Sequence, residues 1–244
     1  MNPLSRVRLS GITPKLSSPN GRGDRFKGGR FSVRVRGGPP TQMDFDLWRS
    51  EYDTMTYQQQ QDFYNEAFQV YPVQASFNLE RAFEFLDQTS RGRITEIGGW
   101  DGQLADSCLE RYPDIASWVN IEISQDAAAS TVVTDLRYSY YIPNGFAWDT
   151  MRITGDIFLA THFIEHIKFA DLKKLMGRVA TEWVYFESPL LFPGWGWGGD
   201  GDNHILEVEW PAVRDLMTDN GYSTWDFQMD DRFRQTGYAT FRKS

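Results

Sequence analysis

Residues 96–102, Glu-Ile-Gly-Gly-Trp-Asp-Gly (EIGGWDG), decide which fold the sequence predicts. They follow an apolar run that includes Ile94, and they precede a segment with helical apolar spacing, residues 103–111. A turn with so little side chain between a strand and a helix lets another group approach the backbone closely. The stretch therefore predicts a ligand site at this turn, although it does not match the G-x-G-x-x-G fingerprint of dinucleotide-binding folds.

Two acidic residues follow later apolar runs and extend this pattern. Glu122 lies about twenty residues beyond the turn, where an acid can accept hydrogen bonds from ribose hydroxyl groups. Asp135 follows the next apolar run, residues 131–134. Because ligands bind at the carboxyl ends of parallel strands, both acids are expected to lie near the glycine turn.

From Arg93 onward, short apolar runs alternate with helical stretches, which predicts a parallel sheet covered by helices on both faces. The expected strands are 94–97, 118–123, 131–134, 156–160 and 183–187, the expected helices are 103–111, 126–130, 169–180 and 210–220, and 224–229 with 237–242 form a hairpin. Two segments rich in aromatic residues, glycine and proline, 138–148 and 188–203, are expected to be loops beside the ligand. Their rings, Tyr140, Tyr141, Trp195 and Trp197, would suit a flat substrate.

Composition narrows the class of protein further. The chain has 244 residues, 41% of them hydrophobic, which is enough for a sizeable core. No run approaches the roughly 20 apolar residues of a membrane span, so we expect no membrane partner and a cytoplasmic protein. The single cysteine, Cys108, excludes an intramolecular disulfide and any multi-cysteine metal site.

Charge divides the chain into unlike parts. Residues 1–40 carry a net charge of +8 and are rich in glycine and proline, whereas the other 204 residues carry −16. We therefore expect three parts: a basic arm at 1–40, a helical N-terminal cover at 41–90, and an α/β domain at 91–244. The arm could contact an anionic partner, either a nucleic acid or an acidic protein, or it could touch its own acidic domain.

Four segments together resemble one known family. Residues 96–102 (EIGGWDG), 119–124 (VNIEIS), Asp135 with Leu136, and 155–167 (GDIFLATHFIEHI) are similar to the motifs of class I S-adenosylmethionine-dependent methyltransferases. The resemblance covers about residues 90–242. It implies a Rossmann-like α/β fold with a seven-stranded, mostly parallel sheet and an antiparallel C-terminal hairpin. It also implies S-adenosylmethionine as cofactor and transfer of its methyl group to an unidentified acceptor, with a small molecule or protein favoured over nucleic acid because the domain is acidic.

The resemblance also implies roles for individual residues. The turn would face the methionine part of the cofactor, Glu122 would bind the ribose, Asp135 and Leu136 would flank the adenine, and Thr161 and His162 would lie beside the cofactor. The implied cofactor-binding residues are Glu96, Gly98, Gly99, Trp100, Gly102, Glu122, Ile123, Asp135, Leu136 and Thr161. One departure stands out, because Trp100 occupies the position of a family glycine. Its ring could point away from the cofactor or narrow the pocket.

Residues 162–166, His-Phe-Ile-Glu-His, leave a second reading open. On a helix, His162 and His166 would share one face and could hold zinc with Glu165 as general base, as in a metallohydrolase, with His204 or an acid completing the site. In the methyltransferase reading no metal is needed. His162 is then the first candidate for a catalytic base, followed by His204 and Asp202. A third reading is an interaction module that keeps the fold without catalysis.

Overall fold

The computed structural model describes residues 31–34, 40–43, 51–70, 79–189, 205–206, 209–230 and 236–244. Near the N-terminus, β1 (Phe31–Arg34) and β2 (Pro40–Met43) form an antiparallel hairpin. Strand β2 includes residues on both sides of the boundary expected between the arm and the cover. No helix in the described ranges is both long and apolar enough to cross a lipid bilayer.

A seven-stranded sheet forms the centre of the molecule, and it confirms the predicted fold class. Its strands are β3 (Arg93–Ile97), β4 (Ser117–Ile121), β5 (Tyr138–Tyr141), β7 (Ile157–Thr161), β9 (Trp183–Pro189), β10 (Tyr222–Asp230) and β11 (Thr236–Lys243). They lie in the order β10-β11-β9-β7-β3-β4-β5. Strands β3, β4, β5, β7 and β9 are parallel to one another, whereas β11 is antiparallel to both β9 and β10. The carboxyl ends of the parallel strands form one edge of the sheet, here called the carboxyl edge.

Helices cover both faces of this sheet and bury two apolar cores, and a short helix, α4 (Gln125–Ala129), follows β4. One core lies against α2 (Leu79–Asp87) and α3 (Gln103–Arg111). The other contains residues of α5 (Ala147–Thr150), α6 (Phe169–Met176) and α7 (Trp210–Asp219). The central strand β7 is buried at all five positions, as expected for a parallel strand covered on both faces.

The third strand lies later in the chain than predicted. Residues 131–134 are not a strand, and β5 at residues 138–141 pairs with β4 instead. Val132 is exposed and Val133 is buried, so this short apolar run supplies little surface for the core. In β5, residues alternate between half-buried and exposed positions, and the Tyr138 hydroxyl is within 3.1 Å of the Asn120 amide. The first part of the predicted loop 138–148 is therefore an edge strand.

The helix predicted at 169–180 ends at Met176. Gly177 caps it, and Val179–Ala180 forms a short strand, β8, which pairs with β6 (Ile153–Thr154). Of the predicted loop 188–203, Ser188 and Pro189 belong to β9. Trp195 and Trp197 lie outside the described residues.

A helix from the N-terminal segment, α1 (Tyr57–Val70), crosses the carboxyl edge, and we call it the cover helix. Its ring contacts reach Trp100 after β3, Phe146 after β5 and His166 after β7. Beyond β4, the Gln61 amide donates a hydrogen bond of 2.9 Å to the carbonyl of Ile123. The sheet edge where a ligand is expected therefore lies beneath this helix.

Candidate functional site

The glycine turn begins where β3 ends, and every second residue from Gly98 to Gly102 has a left-handed backbone conformation. Gly98 has φ 71°, Trp100 has φ 52° and Gly102 has φ 88°. The turn is fixed by its own N–H groups: Gly98 donates to the Ile121 carbonyl over 2.9 Å and Gly99 to Asn120 Oδ1 over 3.0 Å. The turn is thus anchored to β4, the neighbouring strand.

The chain's own side chains occupy the space beside these glycines. A Cβ on Gly99 would lie 2.4 Å from Glu96 Oε2, and one on Gly102 would lie 2.6 Å from the Tyr138 hydroxyl. A Cβ on Gly98 would lie 2.8 Å from the Phe163 ring. Close internal packing therefore explains all three glycines, whether or not a ligand also approaches the backbone.

Trp100 joins the turn to Glu122. Its N–H donates to Glu122 Oε2 over 2.9 Å, and its carbonyl accepts from the Asn120 amide at 3.3 Å and from the Tyr140 hydroxyl. The indole packs against Phe68 of the cover helix, with ring centroids 5.1 Å apart. The ring at this unusual position is therefore accommodated by the helix above it.

Three buried acids gather at the turn, Glu96, Asp101 and Glu122, which are 0%, 4% and 2% exposed. Burial, with smaller contributions from Glu122 and Asp101, raises the pKa of Glu96 to about 7, even though the Trp118 indole N–H donates to it over 3.0 Å. Burial also raises the pKa of Glu122 to about 7, against the hydrogen bonds that it accepts from the N–H groups of Trp100 and Ser124. Both carboxyl groups are therefore poised to ionise near neutral pH.

Asp135 and Leu136 follow Val132, whose N–H donates to the Asp101 carbonyl of the turn over 3.1 Å. Both residues precede β5, so they lie at the amino end of that strand, opposite the carboxyl edge. Asp135 pairs with Arg137, which lowers the pKa of Asp135 to about 2, and Leu136 is 100% exposed. The predicted adenine contacts stay a prediction, and this placement does not favour them, because the third strand starts after these residues whereas ligands bind beyond strand ends.

His162 follows Thr161 at the carboxyl end of β7 and has left-handed backbone, with φ 50°. Its Nδ1 lies 3.2 Å from Glu165 Oε1, and its Nε2 lies 3.3 Å from Glu187 Oε1, within ion-pair distance. Burial would lower the pKa of His162, but these two buried acids outweigh that effect and raise it to about 10. Both nitrogens face carboxylates, which favours the protonated imidazole, and Nε2 forms no hydrogen bond with a described residue. A general base needs a free lone pair, so a base role would require His162 to lose its proton, and that role stays a prediction.

The zinc reading required residues 162–166 to form a helix. Instead, His162 is left-handed and only Ile164–His166 form a single 3-10 turn. The two histidines therefore do not share a helix face, and no metal-binding group of three or more ligands exists within the described ranges. His204 and Asp202 lie outside those ranges.

Sequence reasoning missed several residues that build the site. The Asn120 side chain accepts from the Gly99 N–H and donates to the Trp100 carbonyl. Glu187 lies beside His162, and the Tyr57 ring lies near Glu122 and Tyr141. Two of them carried a usable signal: Asn120 is a polar residue within an apolar strand, and Glu187 is the last residue of the strand predicted at 183–187. Tyr57 had none, because its position depends on how the cover helix docks.

The residues of the turn fit a cationic ligand by their charge. None of Glu96, Asp101 and Glu122 forms an ion pair with another described residue, and Asp101 Oδ1 is buried without a hydrogen-bond partner among them. Buried carboxylates are costly to ionise without a counter-charge, even where they accept hydrogen bonds. S-adenosylmethionine carries a sulfonium and an ammonium group, so its positive charges would offset this negative site.

Several solved structures share this fold. The magnesium protoporphyrin IX methyltransferase of Synechocystis PCC 6803, with bound SAH, superimposes with a TM-score of 0.56 at 13% identity, covering 82% of this chain and 100% of that one. The pyocyanin biosynthetic protein PhzM gives 0.54 at 15% identity over 83% and 62% of the two chains. The mitomycin 7-O-methyltransferase MmcR gives 0.53 at 14% identity over 83% and 61%.

No family model matches the sequence, and no curated protein is similar to it in sequence. The chain spans about three fifths of the length of PhzM and MmcR. At these identities the likeness establishes the fold. The chain thus has the Rossmann-like class I methyltransferase fold, which confirms the resemblance noted in the sequence at that level.

Proposed function

We propose that this protein is an S-adenosylmethionine-dependent methyltransferase. One observation carries the proposal: in the methyltransferase fold, the buried Glu122 carboxylate at the end of β4 is hydrogen-bonded to the glycine turn at the end of β3. This is the point of the sheet where a nucleoside ligand binds, and an acid there can accept hydrogen bonds from ribose hydroxyls.

Each part of the site then has a task. Glu122 and the adjacent Ile123 bind the ribose, and residues 96–102 hold the amino-acid part, with Glu96 and Asp101 opposing its positive charge. Thr161 lines the cofactor side of β7, where its hydroxyl lies 3.5 Å from Glu96 Oε1. When bound, the cofactor supplies a methyl group activated by its sulfonium. The cover helix excludes water from the enclosed edge, so the chain's main contribution is positioning.

An acceptor that must lose a proton needs a base, and the two acids beside His162 make His204 the better candidate. His204 keeps the role proposed for it from the sequence. His162, held as a cation between Glu165 and Glu187, serves instead to fix the loop after β7. An acceptor that is already a nucleophile would need no base at all.

We propose a small molecule or a protein side chain as acceptor. Two solved structures with this fold are named for methylation of small molecules, magnesium protoporphyrin IX and mitomycin. The exposed Tyr141 ring at the carboxyl end of β5 is a candidate contact for a flat acceptor, whereas the Tyr140 hydroxyl is taken up by the Trp100 carbonyl. The net charge of −16 on residues 41–244 disfavours a broad nucleic-acid surface there, and the basic arm remains the proposed contact for an anionic partner.

The test is calorimetric titration of the full chain with S-adenosylmethionine and with S-adenosylhomocysteine. We expect micromolar binding, weakened about 10- to 100-fold by Glu122→Gln, because that change removes a charged hydrogen-bond acceptor. Glu182→Gln is the matched control, since Glu182 is exposed at the opposite edge and pairs with Arg242. Circular dichroism verifies folding. A folded wild-type protein without affinity for either compound would overturn the proposal.

A second function has one observation in its favour. The N–H groups of Gly98, Gly99 and Trp100 are all bonded within the chain, and both oxygens of Glu122 accept backbone N–H groups. Such a closed turn suits a non-catalytic interaction module that retains the fold. The same titration separates the two functions, because the module would bind neither compound and would associate, in a salt-sensitive manner, with an acidic partner of the arm.

A further inference from the structure

Trp100 combines an unfavourable backbone with a large side chain. With φ 52°, it is one of two non-glycine residues with positive φ in the described part of the chain. An aromatic residue in this region is uncommon, and it persists only where the surroundings hold it in place. Glycine would avoid the strain, so the indole itself is expected to have a task.

The main chain of Trp100 and its side chain contact different parts of the structure. On one side, its N–H and carbonyl are bonded to Glu122 and Asn120, which fixes the main chain to β4. On the other side, its indole packs on Phe68, a residue of the cover helix that is 5% exposed. Trp100 therefore connects the turn directly to the helix above it.

The cover helix holds the rest of this region mainly through polar groups. Asn65 Oδ1 accepts from the Ser124 hydroxyl at 2.9 Å, and the Gln69 amide donates to Asp126 over 2.8 Å. Gln61 bonds to the Ile123 carbonyl. Polar contacts of this kind exchange for water at small net cost, whereas separation of two packed rings exposes apolar surface. The contact between Trp100 and Phe68 is therefore the apolar contact that holds the helix at the turn, while Tyr57 and Tyr64 form ring contacts elsewhere along the carboxyl edge.

We propose that Trp100 is a positioning residue that fastens the cover helix to the glycine turn, so that the helix must leave Trp100 before a ligand enters or leaves the site. The proposal rests on the proposed function only in identifying that ligand as S-adenosylmethionine. Because the Trp100 N–H also bonds Glu122, displacement of the indole and access to the Glu122 carboxylate are linked. The ring thus lowers the rates of entry and exit alike.

The first experiment needs no cofactor. Amide hydrogen exchange of residues 57–70 is compared in the wild-type protein, Trp100→Gly, Trp100→Phe and Phe68→Ala. Loss of the ring contact is expected to speed exchange in the cover helix about tenfold in Trp100→Gly and Phe68→Ala, and the phenylalanine variant should restore much of the protection. Exchange in α3 should stay unchanged, which separates detachment of the helix from general unfolding. Trp225→Ala is the control, because that exposed ring lies on β10, away from the carboxyl edge.

Combining Trp100→Gly with Phe68→Ala tests whether the two rings act as one contact. The double variant should exchange no faster than either single variant. Additive effects, or unchanged exchange in Trp100→Gly, would overturn the proposal.

The second experiment measures dissociation of S-adenosylhomocysteine by stopped flow. Trp100→Gly and Phe68→Ala should each raise the dissociation rate about tenfold, with Trp100→Phe close to the wild type. Faster exchange with unchanged dissociation would overturn the role in ligand passage. If the wild-type protein binds neither cofactor nor product, the proposed function fails, while the exchange experiment still decides whether Trp100 fastens the helix.

Discussion

Replacement of Gly99 by alanine tests most directly how the glycine turn is built. Gly99 does not have left-handed backbone, so alanine meets no backbone penalty there. The added Cβ would, however, lie 2.4 Å from Glu96 Oε2 and 2.9 Å from Asn120 Cγ. Both side chains are fully buried, so neither can swing into solvent.

The cost follows from what must move. Relief of the contact requires the Glu96 carboxylate to shift by about 1 Å, since ordinary carbon contacts begin near 3.5 Å. That shift strains the 3.0 Å hydrogen bond from the Trp118 indole, whose loss leaves a buried donor unpaired at about 1–3 kcal/mol. Overpacking adds about 1–3 kcal/mol, and the reduced freedom of the unfolded chain returns about 0.4–1 kcal/mol. We expect a net loss of about 3 kcal/mol, or a melting temperature lower by about 6–12 °C.

Thermal melting followed by circular dichroism measures this loss, with Gly177→Ala as the matched control. Gly177 caps α6 with φ −62°, and its nearest atoms, the carbonyl oxygens of Lys174 and Lys173, lie 3.5 and 3.6 Å from a built Cβ. Alanine there should leave the melting temperature within a few degrees of the wild type. If Gly99→Ala melted with the control, the space beside Gly99 would not be filled by Glu96 and Asn120, and the packing argument would be refuted.

Three further predictions concern charge. S-adenosylmethionine should bind more tightly as pH rises through about 7, because its cations favour the ionised forms of Glu96 and Glu122. Binding should therefore release protons, and calorimetric titration in buffers of different ionisation enthalpy measures their number. Binding that does not change with pH would contradict the prediction. Without ligand, the raised pKa of Glu96 makes the folded state bind more protons than the unfolded state between pH 4.5 and about 7. The free energy of unfolding should therefore fall by about 3 kcal/mol over that range. Urea unfolding at pH 5 and pH 8 checks this, and Glu96→Gln should remove the contribution. The pKa of His162 is raised from 6.5 to about 10, so its stabilisation is fully present below pH 6.5 and is lost as pH rises to about 10. The melting temperatures of the wild type and His162→Gln should therefore differ most near pH 6 and become equal in alkali.

Periodicity in the sequence was sufficient for most of the fold. Helix α3 begins and ends at the predicted residues, and the central strands are displaced by only one or two positions. These elements are buried on the faces that their apolar residues predict, so pattern and packing agree. The edge strand β5 was not predicted, because its stability comes from tyrosine hydroxyl contacts and strand pairing rather than from an apolar run.

Site residues were predictable only where the local chain determines them. Glu122 ends a strand beside the glycine turn, and the register of β3 against β4 brings the two together. Asp135 also follows an apolar run, but that run is not a strand, so the same rule does not apply to it and Asp135 lies before β5. The role of His162 depended on Glu187, which lies on another strand, and no local pattern reports such a partner.

Trp100 shows why a departure from a motif needs its three-dimensional surroundings. From the sequence, a ring at a family glycine position could mean either a blocked pocket or a ring turned aside. The backbone does adopt the left-handed conformation that a glycine would take, so the motif's geometry is retained at the cost of strain. That cost is offset by the contacts with Glu122, Asn120 and Phe68, of which the last involves the side chain. A tryptophan here is therefore consistent with an intact turn, and its indole is accounted for by the cover helix.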